Sequence, residues 1–81
     1  MAVIMRHHAI MRIAKRGIAL SWVEATVASP DWSVPDARPG VTRSFRGIAA
    51  AGGKVLRVAH RADAGDTVVI TALFDSRARK P

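Results

Sequence analysis

The chain has 81 residues, enough for one domain with one modest hydrophobic core. It contains no cysteine, which excludes disulfides and thiolate metal sites. Thirteen lysines and arginines against six acidic residues give a formal net charge of +7, and this excess favours an anionic partner, nucleic acid before membrane. No apolar run approaches the ~18 residues of a membrane span, so we expect a soluble, cytoplasmic protein.

The first predicted elements are a short strand and an amphipathic helix. The apolar run AVIM (residues 2–5) favours an opening strand, and the helix begins at His7 or His8. Gly17 occupies the position at which a left-handed residue commonly ends a helix. The buried side of this helix is predicted to be apolar, formed by Ala9, Ile10, Met11, Ile13 and Ala14.

A second helix is predicted to follow almost at once. Ser21 and Glu24 have the spacing of a capping box in which Ser21 is the N-cap, and the helix stops before Pro30. Val23 and Val27 form its predicted core stripe. The two helices would form a tight antiparallel or steeply crossed pair.

Three antiparallel strands are predicted in the second half of the chain. Before them, SPDWSVPDARPG carries three of the four prolines, which is typical of a loop or an irregular edge strand. The strands span Val41–Ile48, Lys54–Arg61 and Thr67–Phe74. The element order predicts an α+β fold, with two N-terminal helices packed on one face of a three- to four-stranded antiparallel sheet. Residues 1–76 form this single domain, and residues 77–81 form a basic, frayed tail.

Alternation along the strands predicts which side chains share a face of the sheet. Leu56, Val58 and His60 point to the same side of the second predicted strand, and the two aliphatic residues join the core. In the third strand, the helices are expected to cover the apolar set Val68, Ile70, Ala72 and Phe74.

Cationic side chains recur every fourth residue along the wet side of the first helix. His8, Arg12 and Arg16 lie one above another on a helix of 3.6 residues per turn, and Lys15 falls beside them. Two guanidiniums one turn apart match successive anionic oxygens, so Arg12 and Arg16 are candidate phosphate ligands. The alternatives are that their stems cover the edge of the core, or that the face only keeps the protein soluble.

His8 is the candidate general acid or base, because guanidiniums lie beside it. An imidazole is the side chain most often used as a base near neutral pH, and the guanidinium of Arg12 lies one turn away. The alternative is a histidine that donates to a carbonyl at the start of the helix. His7, His8 and His60 lack clustered carboxylates in the sequence, so neither a metal nor a cofactor is expected. The scattered acids also argue against a paired-carboxylate hydrolase and a two-metal nuclease.

Five segments together resemble one family, the domain of unknown function 4258: HAIMRIAKRGI, WVEATVASPDW, TRSFRG, KVLRVAHR and TVVITALF. That family's pattern is a histidine opening a helix, arginines four and eight residues later, Gly-Ile closing it, a second helix ending in a proline-containing turn, and three strands. It is similar in layout to the RelE and BrnT ribonuclease toxins and to barnase. The resemblance implies that His8, Arg12 and Arg16 act on RNA without a metal, with Arg46 and Arg57 as partners on the sheet.

We therefore expect an RNA-binding domain, which the resemblance extends to a metal-independent endoribonuclease, the toxin of a toxin–antitoxin pair. The predicted catalytic residues are His8, Arg12, Arg16 and Arg46. The predicted nucleic-acid contacts are Arg12, Lys15, Arg16, Arg43, Arg46 and Arg57. The alternative is a non-catalytic adaptor that binds nucleic acid or an acidic protein through the same face. The expected partners are RNA or another nucleic acid, an acidic antitoxin-like protein and a second copy of this chain, and no membrane.

Overall fold

The computed structural model describes residues 2–81, and Met1, with which the predicted domain begins, lies outside them. The chain is α+β, as predicted. Its elements in chain order are β1 (Val3–Met5), α1 (His7–Lys15), α2 (Leu20–Ala28), β2 (Trp32–Pro35), β3 (Val41–Ile48), β4 (Lys54–Asp63) and β5 (Asp66–Phe74), with one 3-10 turn at Ala49–Ala51. Neither helix in the described part of the chain has the length and apolar character needed to cross a membrane.

The sheet has five strands in the order β1-β5-β4-β3-β2, one more than the upper limit of the prediction. The strands from β2 to β5 are antiparallel neighbours joined by short connections, whereas β1 pairs with β5 in parallel. This parallel pair is compatible with the chain because both helices and three strands separate β1 from β5. Pro35 ends the edge strand β2, where a missing N–H costs no ladder hydrogen bond.

The end of α1 confirms the predicted role of Gly17. The Gly17 N–H donates to the carbonyl of Ala14 at 3.0 Å, and the Ile18 N–H donates to that of Ile13 at 3.1 Å. This pair of bonds is the Schellman motif, and the φ of +70° at Gly17 is the left-handed conformation that it requires. Ile18, only 4 % exposed, is thereby turned into the core.

The predicted capping box at the start of α2 is wrong. The helix begins at Leu20, its N-cap is Ala19, and no side chain caps it. Because Ile18 is anchored in the core directly after α1, the chain turns into the second helix earlier than the polar residues suggest. Ser21 therefore lies inside the first turn of α2, where it is exposed.

Both helices pack on the same face of the sheet and share one core with it. The buried cluster consists of Ala9, Ile13, Ile18, Val23, Ile48, Leu56, Val58, Val69 and Ala72. Val27 and Phe74 pack against it while partly exposed. Ile10, Met11 and Ala14 were predicted to be buried, but all three are exposed, because α1 buries only the narrow arc that contains Ala9 and Ile13.

A bulge in β5 changes which side chains of that strand face the helices, so the predicted set is wrong in part. Thr71 pairs with Ala59 and Val69 with His60, so Ile70 is an extra residue without an opposite partner. An extra residue reverses the alternation of side chains before it. Ala72 and Phe74 therefore face the helices as predicted, but Val69 joins them in place of Ile70. Val68 is buried on the other face of the sheet, across from Arg61.

Candidate functional site

Three titratable side chains lie together on the exposed side of α1. His8, Arg12 and Lys15, which we call the α1 basic face, are all exposed. With Met11 and Ala14 they line a shallow, open depression of about 630 Å³. The helix presents these side chains outward because Ala9 and Ile13, on its opposite side, are fixed in the core.

The positive charge of the α1 basic face has no carboxylate partner. The segment that forms α1 contains no acidic residue, and within residues 2–81 neither Arg12 nor Lys15 makes a side-chain hydrogen bond or ion pair. Five of the six acidic residues hold partners on other elements: Asp31, Asp36, Asp63, Asp66 and Asp75. The face is therefore a local excess of positive charge that an external anion can neutralise.

Arg16 is separated from the other cations of α1 by its own contacts. Its Nη1 donates to the carbonyl of Ala72 at 2.8 Å and to the hydroxyl of Thr71 at 3.2 Å. Each step of four residues advances by about 40° around a helix of 3.6 residues per turn. Arg16 has therefore rotated about 80° from His8, toward the sheet. It meets β5 where that strand has passed its last pairing with β1, at Val69.

The predicted arginines of the sheet do not gather around the α1 basic face. Arg46 lies on the helix-covered side, where its guanidinium donates to the carbonyl of Ser29 at the end of α2. Arg43 and Arg57 lie on the opposite, open face of the sheet. The register explains the separation, because Arg46 pairs with Leu56 and its neighbour Phe45 pairs with Arg57. Arg46 and Arg57 therefore point to opposite sides.

Each of these two open-face arginines is bonded to a carboxylate. Arg43 Nε donates to Asp36 at 2.6 Å, and Arg57 Nη1 donates to Asp75 at 3.1 Å. Hydrogen bonds from the side chain and the backbone of Arg38, followed by the bond from Arg43, hold the pKa of the Asp36 carboxyl well below its usual range. Asp36 therefore stays ionised and fixes the turn before β3.

The sequence did not predict a row of three hydrogen-bonded polar side chains on the helix-covered side of the sheet. The hydroxyl of Ser44 shares a hydrogen bond of 2.7 Å with Nε2 of His60 and another of 2.9 Å with the hydroxyl of Ser33. Burial lowers the pKa of His60, which favours the neutral ring. Alternation along each predicted strand assigns Ser44 and His60 to one face of its own strand, but it is the register of β3 with β4, with Thr42 opposite His60 and Ser44 on the same face, that brings them together. These hydrogen bonds satisfy polar groups on three adjacent strands, β2, β3 and β4.

Metal-ligand geometry is absent from the described part of the chain: no three side chains of His, Cys, Asp or Glu come together in residues 2–81. His7 and His8 are neighbours on α1, with ring centroids 6.4 Å apart, and His60 lies on β4. The α1 basic face itself presents imidazole, guanidinium and ammonium groups.

Comparison with curated proteins and with solved structures found no match for this chain. A family model does match, over residues 5–74, which include α1, α2 and the four strands from β2 to β5. The match also includes His8, Arg12, Arg16, Gly17 and Ile18. The chain therefore belongs to the family described as Domain of unknown function (DUF4258).

Proposed function

We propose that this protein binds RNA through the α1 basic face. The observation that carries the proposal is the pair of unpartnered cations, Arg12 and Lys15, beside one imidazole on a helix without acidic residues. Guanidinium and ammonium groups at this spacing suit neighbouring phosphate oxygens. The face offers no aromatic ring besides the histidine on which a base could stack, so the contacts that we propose are with the phosphate backbone.

The proposal is tested by measuring RNA affinity over a range of salt concentrations. Replacing Arg12 and Lys15 together by glutamine should weaken binding and lower the slope of log K against log salt by about 0.7 for each lost phosphate contact. The matched control replaces Arg77 and Lys80, which are exposed in the C-terminal tail, by glutamine. Both double variants lose one arginine and one lysine, so they share the same net charge.

The two variants separate a site from general attraction. If both lose the same affinity and the same slope, RNA responds only to net charge and the α1 basic face is not its binding site. If the α1 variant binds RNA as the parent chain does, the proposal is wrong. A larger loss in the α1 variant alone is the expected result.

A second proposal is that the same face cleaves RNA without a metal. His8 lines the depression with Arg12 and Lys15, so a bound phosphodiester would lie beside an imidazole. In this mechanism His8 takes the proton of the ribose 2′-hydroxyl, and the 2′ oxygen bonds to phosphorus. The bond from phosphorus to the 5′ oxygen breaks, and that oxygen receives the proton. The cations stabilise the charge that develops on the phosphoryl oxygens.

Cleavage in EDTA tests this mechanism. The expected products carry a 2′,3′-cyclic phosphate and a 5′-hydroxyl, and His8→Ala should reduce the rate by about two to four powers of ten while RNA binding survives. His7→Ala is the matched control, because His7 is the adjacent exposed histidine and does not line the depression. RNA that stays intact with the parent chain would leave the protein a binding domain. Equal rates for both variants would exclude His8 as the base.

One feature of α1 favours a different candidate, an adaptor for an acidic protein. Met11 is 58 % exposed in the middle of the outward side of α1, and Ile10 and Leu20 are also exposed apolar residues. An exposed apolar side chain among cations, as Met11 is in the depression, suits an amphipathic acidic segment. Met11→Gln distinguishes the two, because it should weaken a protein partner and leave the affinity for RNA nearly unchanged.

A further inference from the structure

Three arginines form a cluster on the open face of the sheet. On β4, Arg57 and Arg61 lie two residues to either side of Ala59, and on β3 Arg43 pairs directly with Ala59. Residues at these positions point to the same side, so all three guanidiniums extend from around one small residue. Ala59 is only 4 % exposed although both helices pack on the other face of the sheet.

An aromatic stack lies next to this cluster. Phe45 pairs with Arg57 across β3 and β4, and Trp32 pairs with Phe45 across β2 and β3. The rings of Trp32 and Phe45 are nearly parallel, 7° apart, with their centroids separated by 4.8 Å. Within the stack, Phe45 is 6 % exposed, whereas Trp32 is only half-buried on the edge strand. One face of the indole is therefore turned away from Phe45.

The arginines of the cluster keep donors for an external anion. Arg43 and Arg57 each contact their carboxylate through one nitrogen, and the nearest Arg61–Asp63 approach is 3.8 Å. A guanidinium has five N–H donors, so one monodentate contact leaves most of them available. The side chains of all three also remain exposed by about a third, between 29 and 39 %.

Arg16 connects this cluster with the α1 basic face. Its guanidinium donates to the hydroxyl of Thr71, and Thr71 pairs with Ala59, the centre of the arginine cluster. Adjacent strands lie about 5 Å apart, so β4 is about 5 Å and β3 about 10 Å from that contact. Cations therefore continue from Arg12 on α1, through Arg16 at the β5 edge, onto the open face of the sheet.

We propose that the RNA is single-stranded and crosses the β5 edge from the α1 basic face to the open sheet face, where a base stacks on Trp32. The proposal rests on the RNA binding proposed above and adds the strandedness of the ligand and a second contact surface. Phosphates contact Arg57 and Arg61, and the indole face that is turned away from Phe45 accepts a base of any identity. A single strand can turn around the edge of a molecule measuring 34 × 28 × 21 Å. A duplex resists such a turn, since duplex DNA is stiff over about 150 base pairs.

The first test uses tryptophan fluorescence of the full chain. Trp22→Phe leaves Trp32 as the single tryptophan, and Trp22 lies on the helix side against Phe74, away from the stack. An oligouridylate should quench the fluorescence of Trp32 as it binds, and an RNA duplex of equal length should bind more weakly and cause little quenching. Oligouridylate binding without quenching would overturn the stacking, and equal affinity for the duplex would overturn the preference for single strands.

The second test maps the path with substitutions. Arg57→Gln and Arg61→Gln should each lower the salt slope for oligouridylate by about 0.7. The matched control is Lys54→Gln, which removes one charge from the same strand on its other face, where Lys54 lies over the ring of Phe74. If only Arg12 and Lys15 affect affinity, the α1 proposal stands and the crossing path is wrong. If oligouridylate does not bind the parent chain at all, the RNA-binding proposal itself fails.

Discussion

Arg12 and Arg16 are one helical turn apart, yet only Arg16 contacts the sheet. Alanine substitutions at the two positions should therefore change the free energy of unfolding by different amounts. Arg16 binds the Ala72 carbonyl and the Thr71 hydroxyl, whereas Arg12 makes no side-chain hydrogen bond within the described residues. A hydrogen bond from a charged donor contributes about 1.5–3 kcal/mol to stability. Arg16 is itself exposed, so we reduce this figure for solvent screening and expect a loss of about 1 kcal/mol in Arg16→Ala.

Thermal unfolding followed by circular dichroism measures this difference. For a domain of this size, a loss of about 1 kcal/mol lowers Tm by roughly 4–8 °C. Arg12→Ala, an exposed substitution without partners, should change the free energy of unfolding by no more than about 0.5 kcal/mol. Equal Tm values for the two variants would refute the conclusion that Arg16 fastens α1 to β5.

Three further predictions concern the core, the half-buried His60 and the turn after α1. Ile13→Asp should abolish cooperative unfolding, because Ile13 is fully buried, whereas Ile10→Asp should still give a folded chain by circular dichroism. Burial lowers the pKa of His60 below its ordinary 6.5, so the unfolded chain binds more protons than the folded one. The free energy of unfolding should therefore fall as the pH drops below about 6.5. In urea titrations between about pH 5 and pH 8, His60→Gln should flatten this dependence. Gly17→Ala should cost about 1 kcal/mol in the same assay, because φ is +70° there although no atom lies within 4 Å of the added Cβ.

Local signals in the sequence predicted most of the secondary structure. The predicted strand Val41–Ile48 matches β3, and the turn at Gly17 ends α1 where a left-handed residue was expected. These features depend on neighbours in the chain, which the sequence displays directly. The start of α2 depends instead on the insertion of Ile18 into a core formed by residues far away in the chain. The spacing of Ser21 and Glu24 does not indicate that insertion.

The candidate site was only partly predictable for the same reason. The grouping of His8, Arg12 and Lys15 follows from helical spacing alone. The contact of Arg16 with β5 depends on where β1 ends beside that strand, and the separation of Arg46 from Arg57 depends on the register of β3 with β4. A bulge of one residue at Ile70 was likewise enough to move Val69 into the core.

The most direct test of RNA binding by the α1 basic face is amide chemical-shift mapping during titration with an oligouridylate. The account predicts that the largest changes occur in α1, at Met11, Arg12 and Lys15, and that they disappear in the double variant Arg12→Gln, Lys15→Gln. If α1 amides keep their shifts while the tail at Arg77 to Lys80 responds, the α1 basic face does not bind RNA.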